Sequence, residues 1–453
     1  MRSRFNRTLS YLRGEGVGPM LARATAGSAA VHVAGILVTF LVGIQLARGL
    51  GLDGYGQYGM AMAVIVIASI PGEFGIPKLV VRETAAAAGR GNWTAFFGVL
   101  RWADSACWKI SVGIAIAVVA GVLLFLDEPT SGVGRAILWG APIIPLFALA
   151  KIRGAALQGL QYATLSQISP VLLRPLLLSL LLLSIYLLNG VLSAWHAMAL
   201  NTITAAAALV VAHGLLKARL PAERPSKAHR AQRQWFWSAF TLGLSGGVMT
   251  LQSQLLILLV GLLSTIEEVG LFRIAASTAV MLTVPMTIVH VVASPTIARL
   301  KAQEDTIRLS KLLARAAKAQ FGGLLILSAP LLIAGEPILA FVFGAEYLPS
   351  AGPLRLLIAG QLLNCAFGLN VPVLNMTHHE RHVARAMLIG LVVGIATATL
   401  LAKPWGGYGA AVAFVVSTTV WNIIAWLDAK RHLGIDTSIV ARGPRIAPLE
   451  VRR

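Results

Sequence analysis

Long apolar segments separated by short polar connections make up most of the chain. About a dozen of these segments approach 20 residues, the length that an α-helix needs to cross a hydrocarbon layer of about 30 Å. They lie near residues 27–47, 58–80, 102–125, 138–160, 170–188, 190–213, 238–262, 270–293, 319–343, 353–375, 384–402 and 408–428. The pattern predicts an all-α polytopic membrane protein with about twelve transmembrane helices.

The hydrophobic pattern repeats after 214 residues. The apolar blocks 170–188 and 190–213 correspond to 384–402 and 404–427, and single positions obey the same offset: Gly56 and Gly270, Tyr58 and Phe272, Ala61 and Ala275, Pro71 and Pro285. Solenoid units run about 20–50 residues, so this repeat is far too long for a solenoid. It indicates a duplicated half-protein, which is how many transporters are built.

The repeat predicts two six-helix lobes, at residues 26–213 and 238–428. Residues 214–237 form a basic cytoplasmic linker, 1–25 an interfacial N-terminal segment and 429–453 a basic cytoplasmic tail. Because six is an even number, both lobes enter the membrane from the same side. Their pseudo-twofold axis therefore runs along the membrane normal, and a V-shaped arrangement of the lobes is expected.

Charge follows the connections between the segments. The sequence has 38 Lys and Arg against 18 Asp and Glu, and 29 of the 38 fall in the N-terminal segment, the even-numbered connections and the tail. By the positive-inside rule both termini are predicted to be cytoplasmic. The net charge of +20 is thus a topology signal, strengthened by anionic membrane lipids, and we expect no nucleic-acid partner.

Several function classes are disfavoured by what the sequence lacks. The outside connections are short and offer no soluble catalytic loop, so an enzyme such as a glycosyltransferase or polymerase is not expected. No GxxxxGK[ST] phosphate loop occurs. The two cysteines both fall in apolar segments, which gives no disulfide framework. We expect no cofactor and no metal site.

Proline and glycine interrupt the second apolar segment. The sequence Pro71-Gly72-Glu73-Phe74-Gly75-Ile76-Pro77 predicts a break or bend, since proline removes a backbone donor and glycine loosens a helix. Glu73 lies in this stretch. A carboxylate inside a membrane segment is rare and favours a functional role, although simple neutralisation of a nearby cation is the alternative.

Charged residues inside the first-half segments form the clearest candidate site. Lys109, Lys151 and Glu73 share a layer roughly 10–13 Å deep at 1.5 Å per residue. The layer also holds Arg153, with Asp104 and Arg174 nearby, whereas the second-half counterparts of Lys151 and Arg153 are Cys365 and Phe367. Such charges face water or one another unless they snorkel to the interface, and we expect Glu73 to pair with Lys109.

The second half carries neutral polar residues instead. Within its apolar segments lie Gln252, Ser253, Gln254, Asn364, Asn370 and Asn422. Two interpretations stay open at the sequence level. These side chains either hold helices together by hydrogen bonds or line a path for a hydroxyl-rich substrate.

The chain resembles the Wzx-type polysaccharide or oligosaccharide-lipid flippases, in the exporter superfamily that includes MATE drug antiporters and lipid II flippases. The resemblance covers essentially the whole chain and is carried by these stretches: Ala47-Arg48-Gly49-Leu50-Gly51, Gly54-Tyr55-Gly56-Gln57-Tyr58, Glu73-Phe74-Gly75-Ile76, Leu79-Val80-Val81-Arg82-Glu83, Gln158-Gly159-Leu160, Glu268 to Ala275 and Pro295-Thr296-Ile297-Ala298. The acid before the Phe-Gly pair is usually Asp in the family, and here it is Glu73.

The resemblance implies a MATE-like pair of lobes, alternating access and a cationic lumen for a pyrophosphate headgroup. The expected substrate is an undecaprenyl-pyrophosphate-linked oligosaccharide, carried across a bacterial inner membrane alongside polymerase and glycosyltransferase machinery. The alternative is a MATE-like antiporter of small organic cations, which favours a lumen of carboxylates and aromatic residues. Four cations against two carboxylates inside the segments favour the flippase.

These arguments assign two groups of candidate residues. The substrate-binding group contains Lys109, Lys151, Arg153 and Arg174, with weaker contacts from Arg48, Arg273 and Arg355 nearer the outer side. The ion-coupling group contains Glu73 and Asp104.

Overall fold

The structure is a computed structural model that describes residues 17–130, 132–188, 190–221, 232–377 and 379–441. Within these ranges the regular structure is entirely helical, which confirms the all-α fold class. The predicted N-terminal segment 1–25, linker 214–237 and tail 429–453 lie partly or largely outside the described residues. The predicted domain bounds therefore stay predictions.

The first half contains eight α-helices in the described residues, and a π-helical turn at Ile168–Leu173 joins the sixth to the seventh. They are α1 (Val17–Glu73), α2 (Ile76–Gly89), α3 (Trp93–Phe125), α4 (Gly132–Gly140), α5 (Ile143–Gly159), α6 (Ala163–Gln167), α7 (Arg174–Leu187) and α8 (Ala194–Lys217).

The second half contains seven α-helices in its described part, with a 3₁₀ turn at Ala345–Ser350 between the fourth and the fifth. They are α9 (Gln232–Leu263), α10 (Ile266–Met281), α11 (Val284–Ala302), α12 (Thr306–Phe343), α13 (Ala351–Ala366), α14 (Asn370–Met376) and α15 (Glu380–Leu433).

The two longest helices, α1 and α15, fold back on themselves at a glycine. They have 57 and 54 residues, and each straight helix would be about 80 Å long, more than twice the hydrocarbon thickness. Gly51 in α1 and Gly406 in α15 have φ angles of 67° and 49°, the left-handed region that favours glycine. In α15 the Ser417 hydroxyl donates to the Gly390 carbonyl at 2.7 Å, although 27 residues separate them. Each of these helices is therefore long enough for two membrane crossings.

The fold-back of α15 is held by a carboxylate from α10. Glu268 Oε2 accepts a hydrogen bond from the Gly407 N–H at 2.7 Å. A side chain at Gly406 would overlap the same carboxylate. The acidic residue at the start of α10 thus satisfies a backbone donor that the broken helix leaves without an intrahelical partner.

Seven helices among the described residues are long and apolar enough to cross a membrane. The number rises to nine when two bent pairs are each counted as one span, namely Ile266–Met281 with Val284–Ala302 and Ala345–Ala366 with Asn370–Met376. The polytopic membrane fold is therefore confirmed. The number twelve, which needs the two folded-back helices and α9 in addition, stays a prediction.

The break expected between Pro71 and Pro77 is present. α1 ends at Glu73, Gly75 has a φ of 68°, and α2 begins at Ile76 with Pro77 in its first turn, where a missing N–H leaves no intrahelical bond unmade. The break places Glu73, Phe74 and Gly75 at the surface that faces α9, as described below.

The two halves meet through positions that the sequence repeat relates. A side chain at Gly56 would overlap the Ile266 carbonyl, and one at Gly270 would begin 2.7 Å from the Leu52 carbonyl oxygen. Gly56 and Gly270 differ by the repeat offset, so equivalent backbones touch each other, as a twofold axis between two lobes requires. The large buried cluster around this contact contains residues of both halves, including Tyr58 and Phe272.

A second buried cluster joins the halves at the other end of the bundle. The start of α9 contributes Trp235 and Ala239 to a core that otherwise consists of first-half residues such as Phe96 and Leu157. The rings of Trp235 and Trp102 lie 5.6 Å apart. We call this the basic end, because the Arg90, Lys217 and Arg299 connections lie on this predicted cytoplasmic side.

Candidate functional site

A cavity with a volume of about 510 Å³ lies between the two halves. Residues from α1, α7 and α8 of the first half and from α9 and α10 of the second half line it. Its cationic lining residues are Arg174 and Arg273, one from each half, and no carboxylate is among the lining residues in the described part of the chain. We call it the central cavity.

Arg174 is held in the central cavity by an amide and an aromatic ring. It is the first residue of α7, directly after the π-helical turn. Its Nη2 donates to Asn201 Oδ1 at 2.7 Å, and Asn201 Nδ2 donates to the Tyr58 hydroxyl at 2.9 Å. The guanidinium carbon lies 4.1 Å from the centre of the Phe147 ring. This cation–π contact and the hydrogen bond fix the cation while leaving other N–H donors for a ligand.

The Nε of Arg174 is buried and has no hydrogen-bond partner among the described residues. A buried N–H of a cation without an acceptor is costly, and a bound anion would satisfy it. Burial also argues against snorkelling, which was the alternative interpretation of this residue.

Arg273 connects the two halves across the same cavity. It lies on α10, and its Nη1 donates to the Gly59 carbonyl at 3.2 Å. Its guanidinium lies 5.4 Å from the Tyr55 ring and 4.9 Å from the Tyr58 ring, both on α1. The contact between Arg273 and Gly59 again joins positions that differ by the repeat offset. Because it spans the halves, it exists only while the two halves are close at this level.

Arg153 and Asp104 lie inside the first half and not in the central cavity. Arg153 on α5 donates to Asp104 on α3, and their side chains are 13% and 31% exposed. Neither residue lines the central cavity. The pair neutralises two charges within one lobe, so the structure gives Arg153 and Asp104 an internal contact.

Glu73 pairs with Lys151, and the expected Glu73–Lys109 pair is wrong. The α3 helix packs through buried residues that include Ala103, Cys107 and Ser111. Lys109 is exposed and lies about 200° around the helix from Cys107, at 3.6 residues per turn. It therefore points away from the lobe interior and from Glu73, and it lines neither the central cavity nor the smaller cavity around Glu73.

Arg48 and Arg355 lie toward the end opposite the basic end, outside the central cavity. Arg48 donates to the Val342 carbonyl at 2.8 Å and to the Phe341 carbonyl, so it ties the fold-back of α1 to the end of α12. The Tyr347 hydroxyl adds a 3.0 Å hydrogen bond to the Ala47 carbonyl. Arg355 forms an exposed 3.3 Å pair with Glu336. Of the three cations expected near this side, only Arg273 lines the cavity.

Most neutral polar residues of the second half hold its helices together. Asn370 Nδ2 donates to Asn422 Oδ1 at 2.9 Å, and Asn422 Nδ2 donates to Asn364 Oδ1 at 3.1 Å. Gln252 Nε2 donates to the Ser417 hydroxyl at 2.8 Å. Ser253 and Gln254 instead line the central cavity. Both interpretations of these side chains thus apply, to different residues.

Asn201, Tyr58 and Phe147 were not among the candidate residues. Each contacts an arginine of the central cavity or its partner. Asn201 had a sequence signal, because it is an amide within a long apolar segment. Within the described ranges, no group of three or more His, Cys, Asp or Glu side chains has a geometry that would hold a metal ion.

Comparison with known families decides the classification. Residues 21–301, more than half of the chain, match the family described as "Polysaccharide biosynthesis protein". The chain belongs to this family. This match confirms the resemblance to Wzx-type flippases that the sequence predicts. No curated protein matches the sequence significantly.

Several solved structures share the fold of this chain. A lipid II flippase, MurJ, in an inward closed conformation has a TM-score of 0.71 at 12% identity, covering 90% of this chain and 87% of its own. An inward-facing multidrug resistance MATE transporter has a TM-score of 0.70 at 14% identity, covering 88% and 94%. A transporter from Pyrococcus furiosus has a TM-score of 0.65 at 16% identity, covering 94% and 97%. These similarities confirm the two-lobe, MATE-like architecture.

Proposed function

We propose that this protein flips lipid-linked oligosaccharide repeat units, carried on undecaprenyl pyrophosphate, from the inner to the outer leaflet of a bacterial inner membrane. Membership of the polysaccharide biosynthesis family supports the oligosaccharide class of substrate. The observation that carries the proposal is the central cavity, where one arginine from each half faces a space without carboxylates in its described lining.

A pyrophosphate matches the chemistry of Arg174 and Arg273. Arginine presents several N–H donors in a planar fork that fits phosphate oxygens, and its charge-assisted hydrogen bonds are about twice as strong as neutral ones. The apolar walls of the cavity strengthen these interactions relative to water. A small organic cation would instead meet two like charges.

Neutral polar groups of the cavity suit the sugar part of the substrate. Thr39, Ser253, Gln254 and Ser277 line the same space as the two arginines. Hydroxyl and amide groups both donate and accept hydrogen bonds, which matches a hydroxyl-rich glycan. Their distribution over α1, α9 and α10 allows contacts from both halves.

The contacts of Arg273 support the alternating-access part of the proposal. Arg273 contacts Gly59, Tyr55 and Tyr58 across the boundary between the halves. A bound pyrophosphate competes for the same guanidinium and so changes the relative free energies of the states in which the halves are close or separated here. Ion coupling through Glu73 or Asp104 remains a prediction, as do the cytoplasmic location of both termini and a role for partner polymerases.

Deletion of the gene tests the proposed function. Lipid-linked oligosaccharide should accumulate on the cytoplasmic leaflet, the surface glycan should disappear, and resistance to cationic dyes should stay unchanged. Expression of the wild-type gene should restore the glycan. A normal surface glycan together with new sensitivity to cationic dyes would support the alternative, a cation-coupled antiporter of small organic cations.

A further inference from the structure

A second, smaller cavity of about 220 Å³ surrounds the Glu73–Lys151 pair. It shares no lining residue with the central cavity. Lys78 from α2 also lines it, so the cavity brings two lysines and one glutamate together. We call it the entry cavity.

The entry cavity lies at the boundary between the halves. On the side of the second half, Gly243, Gly247 and Thr250 of α9 line the cavity. The Phe74 ring would contact any side chain added at Gly243 or Gly247, and a Cβ at Gly75 would begin 2.6 Å from the Gly243 backbone nitrogen. The two glycines of α9 therefore let the broken segment after α1 approach closely, and a movement between the halves would open this cavity.

The Glu73 carboxylate lines this cavity, and only one of its two oxygens has a hydrogen-bond donor among the described residues. Its Oε2 accepts from the Lys151 ammonium, while its Oε1 is buried with no hydrogen-bond partner in the described part of the chain. The Glu73 side chain is 12% exposed, whereas that of Lys151 is 51% exposed. The anion of the pair is thus poorly solvated, while the cation reaches open space.

We propose that the entry cavity is a second anion-binding site, which takes a phosphate-bearing headgroup when the Glu73 carboxylate is displaced from Lys151. This inference rests on the proposed function and adds a separate binding step to it. A carboxylate and a phosphate oxygen accept the same hydrogen bonds from an ammonium group, and a pyrophosphate offers more acceptors and more charge. Glu73 therefore occupies the site as an internal competitor.

The position of the entry cavity places this step before the central cavity. Glu73 lies 14 residues after Gly59 along α1, a distance of about 21 Å at 1.5 Å per residue. Glu73 is nearer the basic end, and Gly59 is the level of Arg273. A headgroup that enters from the basic end meets Lys151 first and the two arginines afterwards.

The test measures the binding of inorganic pyrophosphate, the probe, to the purified full-length protein by isothermal titration calorimetry. Glu73→Gln removes the competing charge and keeps the side-chain shape, so it should add a second binding event or tighten binding at least tenfold. Glu73→Gln combined with Lys151→Gln should lose that gain. Glu336→Gln is the matched control, since it removes the same charge from the exposed Arg355 pair and should leave pyrophosphate binding as in the wild type.

A folded Glu73→Gln variant that binds pyrophosphate as the wild type does would overturn the proposal. Thermal unfolding and size-exclusion profiles establish that the variants are folded. Nanodiscs of zwitterionic or anionic phospholipid distinguish two sources of the phosphate. Loss of the added pyrophosphate binding in anionic nanodiscs would assign the site to membrane headgroups, and its persistence would assign it to the substrate.

The pyrophosphate titration and the gene deletion test the two proposals separately. A normal surface glycan in the deletion strain would reject the flippase, yet the titration of Glu73→Gln would still show whether the entry cavity binds anions. Conversely, a deletion strain without surface glycan and a silent Glu73→Gln titration would leave the flippase supported and this second site rejected.

Discussion

The two halves share one hydrophobic pattern but differ in how their interiors handle polar groups. The first half contains the Glu73–Lys151 and Asp104–Arg153 ion pairs and the Arg174 cation. The second half uses the neutral Asn364–Asn422–Asn370 chain and the Gln252–Ser417 hydrogen bond. Duplication thus preserved the scaffold while the chemistry of the two lobes diverged.

This difference separates residues that hold helices together from residues that bind. Amide hydrogen bonds join membrane helices without any charge to desolvate. Ion pairs inside a protein cost desolvation energy and are weak evidence for stability, so the two pairs and the Arg174 cation of the first half indicate a functional role. The described part of the second half has one pair with a buried carboxylate, Arg385–Asp428, formed between residues near the two ends of α15. The second half contributes Arg273 to the central cavity, at the position that corresponds to Gly59 in the repeat.

The largest expected effect concerns the two arginines of the central cavity. Arg174→Gln and Arg273→Gln should each lower the rate of oligosaccharide flipping by about 100-fold, because hydrogen bonds to charged groups contribute about 1.5–3 kcal/mol and a guanidinium can donate more than one to a pyrophosphate. Arg174→Lys should retain part of the activity. Flipping is measured in proteoliposomes at matched protein content, with Arg381→Ala at the exposed start of α15 as the control.

The proposal that both halves contribute a binding charge would be contradicted if only the first-half arginine, Arg174, were needed for flipping. Wild-type flipping by Arg273→Gln, alongside inactive Arg174→Gln, would confine the binding charges to one lobe. The bridging role of Arg273 would then be rejected.

The next effect concerns the stability of the first half. Arg153→Gln leaves Asp104 without its cation and should destabilise the protein by about 3 kcal/mol, as for a half-broken internal ion pair. The double variant Asp104→Asn with Arg153→Gln should recover most of this loss, since no uncompensated charge remains. Thermal unfolding in detergent measures both. Equal destabilisation in the single and double variants would contradict an internal pair.

Rotation about a helix axis was not readable from the sequence. The sequence predicts similar depths for Lys109 and Lys151, yet of these two lysines only Lys151 contacts Glu73. The inward face of each helix is set by which neighbouring helices cover α3 and α5. The sequence of those helices is too uniformly apolar to reveal it, because an apolar residue faces lipid as readily as protein.

Positions fixed by backbone geometry were predicted better. The break after Glu73 follows from Pro71, Gly75 and Pro77 alone. The contact of Gly56 with α10 was not predicted, although the repeat relates Gly56 to Gly270, where the two halves meet. Asn201 was missed because its role depends on two partners, Arg174 and Tyr58, that lie on other helices.

A smaller effect is expected in the second half. Asn422→Ala removes its hydrogen bonds to Asn370 and Asn364, and such interhelical bonds contribute about 0.6–1.7 kcal/mol in membranes. The variant should unfold at a slightly lower temperature and keep its flipping activity. A loss of flipping as large as that of Arg174→Gln would show that the neutral chain belongs to the substrate path.

The smallest effect is expected for Lys109, and it tests whether the face of the helix on which a lysine lies matters as well as its depth. Lys109→Ala should change flipping less than twofold, because Lys109 is exposed, lines neither cavity and lies away from the packed face of α3. A side chain of this kind reaches the interface with its ammonium group and adds little to a ligand inside the lobes. Lys151→Ala is the informative variant to compare in the same assay, since Lys151 shares the predicted depth of Lys109 but contacts Glu73. If Lys109→Ala and Lys151→Ala were equally inactive, a ring of positive charge at one depth would suffice for transport, and the division into separate cavities would be wrong.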